Sequence, residues 1–432
     1  MTLAEVNLWG KMIGAVSLEN ENDVAAFEYT PEFVSSGIEV SPIAMPLSDT
    51  VYTFPELPRR SFHGLPGLLA DSLPDKFGNA LINTWLARQG RSSESFNAVE
   101  RLCYTGSRGM GALEFVPGLG PNKKSSQKIE IDSLVQLASE VLSNQARLDG
   151  DLNDSNALTD ILMVGTSAGG ARAKAVIAWN PKTNEVRSGQ GKAPNGFEYW
   201  LLKFDGVTEN KDKEFADPQG YGTIEYAYYL MALAAGITIS DCKLFEENDR
   251  LHFMTKRFDR LESGEKIHML SLGGLAHFDF NNAGAHGYEQ AMLIMRQLDF
   301  PVSEIEQMFR RVVFNILARN QDDHVKNIAF LMNKEGVWSL APAFDLTYSY
   351  NPQGLWTSKH QMTLNGKRDH FTLADFKECA KAVFLKRGTA ESIVDEVREM
   401  VKKWPEYARA AKVSESWTNQ IEKNLRLELA SI

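Results

Sequence analysis

Asn320-Gln321-Asp322-Asp323-His324-Val325-Lys326-Asn327 is the stretch on which the reading of this chain turns. An apolar, helix-like run from Phe309 to Leu317 leads into it, and a β-type run from Ile328 to Met332 leads out. Two acids, a His, a Lys and an Asn between two apolar elements are costly to place unless something binds them. Asp322 and Asn327 stand five apart. In a protein-kinase catalytic loop that separation links the Asp that takes the hydroxyl proton to the Asn that holds Mg²⁺. Downstream, Phe344-Asp345-Leu346 follows a second short strand, Val337 to Leu340, which puts Asp345 in the place of the kinase metal-binding Asp. With His after the Asp, the order D-x-H-x-K-N is closer to lipid and other atypical kinases than to H-R-D. A salt-bridged polar turn is the plainer reading of the same spacing, so the rest of the chain must choose.

Working upstream, Ile161-Leu162-Met163-Val164 predicts a strand, Gly165 to Lys174 a loop, and Ala175 to Trp179 a second strand. Small residues let backbone N–H groups approach phosphate oxygens, and Lys174 adds a point charge. The Walker pattern is absent, because Ala171 stands where Lys is needed and the following run is strand-like. A Gly loop between two strands is the kinase arrangement instead; a hairpin turn is the alternative, though a Gly-rich loop closed by a Lys is long for one. Tyr199 to Phe204 is an apolar strand carrying Lys203, which either pairs phosphates or snorkels at a sheet edge. Glu225 opens a predicted helix, Thr223 to Ala235, as a helix-dipole partner or as the carboxylate that holds Lys203. Leu251 to Arg260 reads as a strand running into a charged segment, suited to a hinge where a purine edge meets backbone.

The 432 residues suggest about three domain-sized units. Hydrophobic content of 43% with 24% charged residues is that of a soluble globular chain, and no apolar run is long enough for a membrane span. The first residues lack the apolar block and cleavage site of a signal peptide. Cys103, Cys242 and Cys379 are scattered in apolar surroundings and read as reduced core residues of a cytoplasmic protein. A net charge of −10 argues against a large nucleic-acid surface on this chain, so DNA would be reached through a local patch or a basic partner. Residues 1 to about 60 predict β-structure with a hairpin at Gly10-Lys11, and helices start near Gly64 and Leu73. The Gly-rich stretch Tyr104 to Phe115 has no helix start or companion Lys after it, which favours a tight turn over a phosphate cradle. Residues 117–128 have linker composition. Helices are expected over 132–148, 288–299 and 303–319, and from Leu373 to Leu429 with one interruption at Trp404-Pro405. His277-Phe278-Asp279 stays unassigned.

Taken together, TGSRGMGALEF, GTSAGGARAK, WLLKF, IEYAYYL, KRFDR, NQDDHVKN, PAFDLTYSY and MTLNGK follow one another as they do in a known family. The chain resembles the HipA toxins of bacterial toxin–antitoxin modules over nearly its whole length. The resemblance implies a serine/threonine protein kinase of α+β fold: two-lobed, protein-kinase-like and distantly similar to phosphatidylinositol 3/4-kinases. A small β-rich subdomain would occupy 1–118, the kinase N-lobe 119–255 and a mostly helical C-lobe 256–432. It implies Asp322 as catalytic base, with neighbouring Asp323 a second candidate, and Asn327 and Asp345 as Mg²⁺ ligands. It implies ATP contacts from His324, Val325, Lys326 and Phe344, from the phosphate loop Gly169, Gly170, Ala171, Arg172, Ala173 and Lys174, and from Lys203. Lys256, Arg257 and Phe258 would form the adenine hinge. Ser167, next to Thr166, matches the serine that the family autophosphorylates to shut the kinase off; a phosphate there adds roughly −1.5 to −2 charge beside ATP's own phosphates. The family also implies a HipB-like helix-turn-helix antitoxin, operator DNA bound mainly through that antitoxin, and a protein substrate in the translation machinery, glutamyl-tRNA synthetase being the known type. The rival readings are a pseudokinase co-repressor and an atypical lipid or small-molecule kinase; no basic amphipathic stretch supports the lipid version.

Overall fold

The computed structural model describes residues 1–20, 23–121, 128–143, 155–165, 172–207 and 220–430, the side chains of 155–159 aside. Strands β1 (Thr2–Leu8) and β2 (Lys11–Leu18) form the expected hairpin. Trp9 and Gly10 at its tip both have positive φ, 50° and 77°, the turn conformation whose twist matches that of the flanking strands. With β3 (Ala26–Tyr29) and β4 (Leu113–Val116) they make an antiparallel sheet in the order β3-β2-β1-β4. Ala4, Val6 and Leu8 face inward and alternate with outward Leu3 and Glu5, as a half-buried strand requires. Between β3 and β4 runs the helix Lys76–Arg88, capped by Asp75, whose Oδ1 accepts from the Gly78 N–H at 2.7 Å.

Strands β5 (Lys174–Trp179), β6 (Val186–Ser188), β7 (Glu198–Lys203), β8 (Cys242–Glu247) and β9 (Arg250–Lys256) form a second antiparallel sheet, ordered β6-β5-β7-β9-β8. Every residue of β5 is buried. Helices Ile131–Ser143, Ser155–Val164 and Lys76–Arg88 cover one face, where Phe77, Leu81, Leu134 and Ile161 share a core with Ile177, Trp200 and Met254. The helix Tyr221–Ala234 lies against β8 and β9. Ile161 to Val164 is therefore the end of a helix, not the predicted strand. A four-residue apolar run buried on all sides carries no period by which helix and strand can be told apart. The glycine-rich stretch accordingly follows a helix rather than a strand.

Strands β10 (His268–Ser271), β11 (Ala329–Met332) and β12 (Trp338–Leu340) make a third sheet beside the helices Tyr288–Gln297 and Val302–Leu317. The C-terminal region holds four helices, Leu373–Ala382, Thr389–Val401, Trp404–Ala410 and Glu415–Asn424, so it breaks three times where one break was expected. Pro405 stands in the first turn of its helix, where the missing N–H costs nothing. Gly388, at φ 92°, makes one of the extra breaks.

The largest apolar core runs without interruption from Val6, Leu8 and Phe27 through Leu270 and Leu272 to Phe309, Phe314 and Trp404. The four-stranded sheet thus shares a core with the C-terminal helices, while the helix Lys76–Arg88 shares one with the five-stranded sheet. The two segments approach closely at Gly67, where a Cβ would lie 2.3 Å from the Gly274 carbonyl oxygen. All three cysteines are free and buried. Among the described residues no helix is long and apolar enough to cross a membrane.

Candidate active site

Lys203 ends β7 with its ammonium buried between two carboxylates, Glu225 Oε1 and Asp345 Oδ1, each at 2.5 Å. Burial disfavours the ammonium, but Asp345 and Glu225 outweigh it and raise the Lys203 pKa, so the charge is retained. Glu225 sits on the first turns of Tyr221–Ala234 and takes a second cation, Arg172 Nη1, at 3.1 Å. Of the two sequence readings of Glu225, the structure selects the carboxylate that holds Lys203. Arg172 also lies over the Tyr221 ring, 4.5 Å from its centre.

Lys174, expected to close the phosphate loop and add a point charge to it, is buried against Asp75 Oδ2 at 2.9 Å. Its Cα faces that of Lys203 across the β5–β7 ladder, and its charge helps Lys203 to hold the Asp345 carboxyl below its ordinary pKa against burial. Burial raises the Asp75 pKa, with Lys174 opposing. Ala173 is buried at the strand entry. Thr166, Ser167, Gly169, Gly170 and Ala171 lie outside the described residues.

Asp345 has φ 51°, a left-handed conformation that Asp tolerates better than most residues. The catalytic-type loop lies opposite. Asn327 closes a 3₁₀ turn, Val325–Asn327, and its Nδ2 donates to the Asp322 carbonyl at 2.8 Å, so the two residues five apart are joined directly. The Asp322 N–H donates to Ser349 Oγ at 3.0 Å, and Trp356 Nε1 donates to Asp322 Oδ1 at 2.7 Å. The Asp322 side chain is 46% exposed. Desolvation raises its pKa, the charges of Asp345 and Asp323 add to the rise, and His324 and the Trp356 bond oppose it.

Asp323, the other candidate base, is not accessible. It accepts from Tyr288 Oη at 2.5 Å and the Gln361 N–H at 2.7 Å, and pairs with His360 Nδ1 at 2.7 Å. Despite burial, which pushes upward, His360 and these donors keep its pKa low, so it is a buried anion anchoring the loop. Val325 is also buried, under the loop near Gly273. His324 has Nε2 3.9 Å from Asp322 Oδ1, and among the described residues its buried Nδ1 has no hydrogen-bond partner. Lys326 lies over the Phe280 ring at 5.0 Å and 3.9 Å from Asp71 of the N-terminal unit.

In the segment expected to form the adenine hinge, the N–H groups of Lys256 and Arg257 are already bonded to the Asp241 and Tyr199 carbonyls. Lys256 Nζ pairs with Glu198 at 3.1 Å. Arg257 points away from the cleft in a two-pronged pair with Asp259, at 2.8 and 2.6 Å. Asp259 also takes Arg260 and the Gly111 N–H, at 2.8 and 2.7 Å. The Gly-rich stretch Tyr104 to Phe115 therefore serves as a tight turn onto this charge cluster. Phe258 instead meets Phe344 with ring centres 5.7 Å apart.

The donor set suits Mg²⁺. Among the described residues no three acids, histidines or cysteines converge as a ready-made metal cage. Asp345 and the amide oxygen of Asn327 are one carboxylate and one neutral oxygen, the sparse protein share typical of a Mg²⁺ completed by phosphates and water. The buried Nδ1 of His324, without a partner among the described residues, adds a polar atom at the same cleft. Sequence reasoning missed Trp356, Ser349 and Asp75, which lie far from the motifs they support and carry no spacing signal.

Fold and cleft define a class: an α+β protein of two-lobed, kinase-like architecture. Residues 4–116 match the family model described as the HipA N-terminal domain, and residues 166–404, more than half of the chain, match the HipA-like C-terminal domain. The chain belongs to the HipA family. A HipA chain solved in the Shewanella oneidensis MR-1 toxin–antitoxin complex of HipA, HipB and operator DNA superposes with a TM-score of 0.70 at 18% identity, over 97% of this chain and 95% of that one. A Haemophilus influenzae protein named "Putative kinase" is 29% identical over 101 residues, 22% of this chain and 29% of its own length. Sinorhizobium fredii "Putative kinase Y4mE" is 25% identical over 136 residues, 29% of this chain and 32% of its own. This chain thus matches about a third of the length of these curated relatives.

Proposed function

We propose that the protein is an ATP-dependent serine/threonine protein kinase acting as the toxin of a toxin–antitoxin pair. The observation that carries this reading is Lys203, held by carboxylates from two distant segments, Glu225 and Asp345, beside a loop in which Asn327 is tied to Asp322. Lys203 and Lys326 would neutralise phosphate charge, and Phe258 and Phe344 offer apolar surface for a base. Bound at Asp345 and Asn327, Mg²⁺ would screen the charge on the transferring phosphoryl group. Asp322 takes the proton of the acceptor hydroxyl as that oxygen bonds to the γ-phosphorus and the bond to ADP breaks. Its raised pKa keeps it a better base than an ordinary surface Asp.

Asp322→Ala, assayed with γ-labelled Mg-ATP, should lose transfer while keeping most of the thermal shift that Mg-ATP induces. Label incorporation at the wild-type rate would overturn the assignment. The reading extends to autophosphorylation at Ser167, a HipB-like antitoxin that carries the complex to operator DNA, and an acceptor in the translation machinery. Intact-mass spectrometry before and after Mg-ATP, with Ser167→Ala as control, tests the first; a chain that gains no phosphate removes it.

A further inference from the structure

Asp322 has two oxygens in unlike surroundings. Oδ1 accepts from the Trp356 indole, and among the described residues none donates to Oδ2. Trp356 comes from the segment after Asp345, and that segment is fastened to the catalytic loop rather than draped over it. The Gln361 side-chain amide donates to the carbonyl oxygens of Trp356, of Lys359 at 3.0 Å and of Gln321 at 3.2 Å. Gln321 Nε2 returns a bond to the Thr357 carbonyl at 3.2 Å, and the Gln361 N–H ends on Asp323. Gln321 and Gln361 are both buried. The indole is thereby set in place by amide bonds on both sides of Asp322.

An indole N–H donates and never accepts, and it does not titrate in the working range. It therefore occupies Oδ1 in every protonation state of Asp322. Resting on the kinase reading above, we infer that Trp356 is a positioning residue. By holding Oδ1 it fixes the carboxylate plane and leaves Oδ2 as the oxygen that receives the acceptor proton. Its partner is a protein hydroxyl arriving at the exposed side of Asp322; Leu355, preceding Trp356 in the chain, is fully exposed. No electrons or groups beyond the kinase step are involved: one proton leaves the acceptor oxygen and arrives at Oδ2.

The test uses the full chain with γ-labelled Mg-ATP and myelin basic protein as acceptor, comparing wild type, Trp356→Phe and Trp356→Gln. Removing the N–H frees the carboxylate to turn away from the acceptor. In Trp356→Phe kcat should fall on the order of tenfold, with KM for ATP and the Mg-ATP thermal shift unchanged within about twofold. Trp356→Gln, which keeps an N–H donor, should recover part of that loss. A Trp356→Phe kcat within about twofold of wild type, or a Trp356→Gln kcat no higher than that of Trp356→Phe, overturns the inference and leaves the indole a packing group. Should Trp356→Phe not fold, a Trp356→Gln kcat lowered about tenfold or more overturns it equally. A wild type that transfers no label refutes the kinase reading itself, which separates the two failures.

Discussion

Lys203→Met is the sharpest test of the site's electrostatics. Methionine keeps the aliphatic stem and most of the volume, so the loss is that of a charge more than of packing. Removing one member of a buried ion pair typically costs about 3–5 kcal/mol, because the partner is left buried and unpaired. Here two carboxylates lose their cation, but neither is wholly abandoned. Glu225 keeps Arg172 at 3.1 Å, and Asp345 is 29% exposed and can be partly rehydrated. The lower end, about 3 kcal/mol, is expected in urea denaturation at neutral pH. Adding Asp345→Asn to Lys203→Met removes the orphaned charge and should return part of that loss. The pH dependence has a defined sign. Asp345 has its folded pKa below the ordinary 3.8, so its pairing stabilises fully above that value and is lost as pH falls through the lower folded one. The gap between wild type and Lys203→Met should therefore close in acid. A destabilisation under about 1 kcal/mol, the scale of a surface pair, would refute the picture of a desolvated triad.

Asp259→Asn leaves Arg257 and Arg260 buried without a counter-charge and weakens the bond from Gly111; a loss of about 3 kcal/mol or more is expected in the same assay. Gly67→Ala places a methyl 2.3 Å from the Gly274 carbonyl, backbone that cannot yield cheaply, and 2.5 Å from the His277 ring; thermal melting should show roughly 1–3 kcal/mol of destabilisation. His252 and His268 are fully buried, and burial lowers both from 6.5 to about 4. Their contribution is complete above pH 6.5 and lost as pH falls toward 4, so urea midpoints should drop between pH 7 and pH 5, and less steeply in His268→Asn.

Most architectural elements were legible in local sequence. The hairpin at Gly10, the Lys203 strand, the helix carrying Glu225 and the two helices before Asn320 each announce themselves by period or turn chemistry, because these depend on neighbours a few residues away. The motif residues were legible too, since Asp322 and Asn327 keep a spacing that one loop can satisfy. Ile161 to Val164 was misread because an apolar run buried on every side has no face.

Residue types and their order along the chain determined which groups are available to the cleft. Only tertiary structure decided which of them are free to act. Asp322 and Asp323 are adjacent and chemically identical, yet one faces the cleft and the other is consumed by Tyr288, His360 and Gln361. Lys174 and Lys203 both carry an ammonium, yet one is paired with Asp75 of the N-terminal unit and the other lies between Glu225 and Asp345. The reason is physical: the free energy of a buried charge is set by partners brought close in space, and sequence separation says nothing about how close they come.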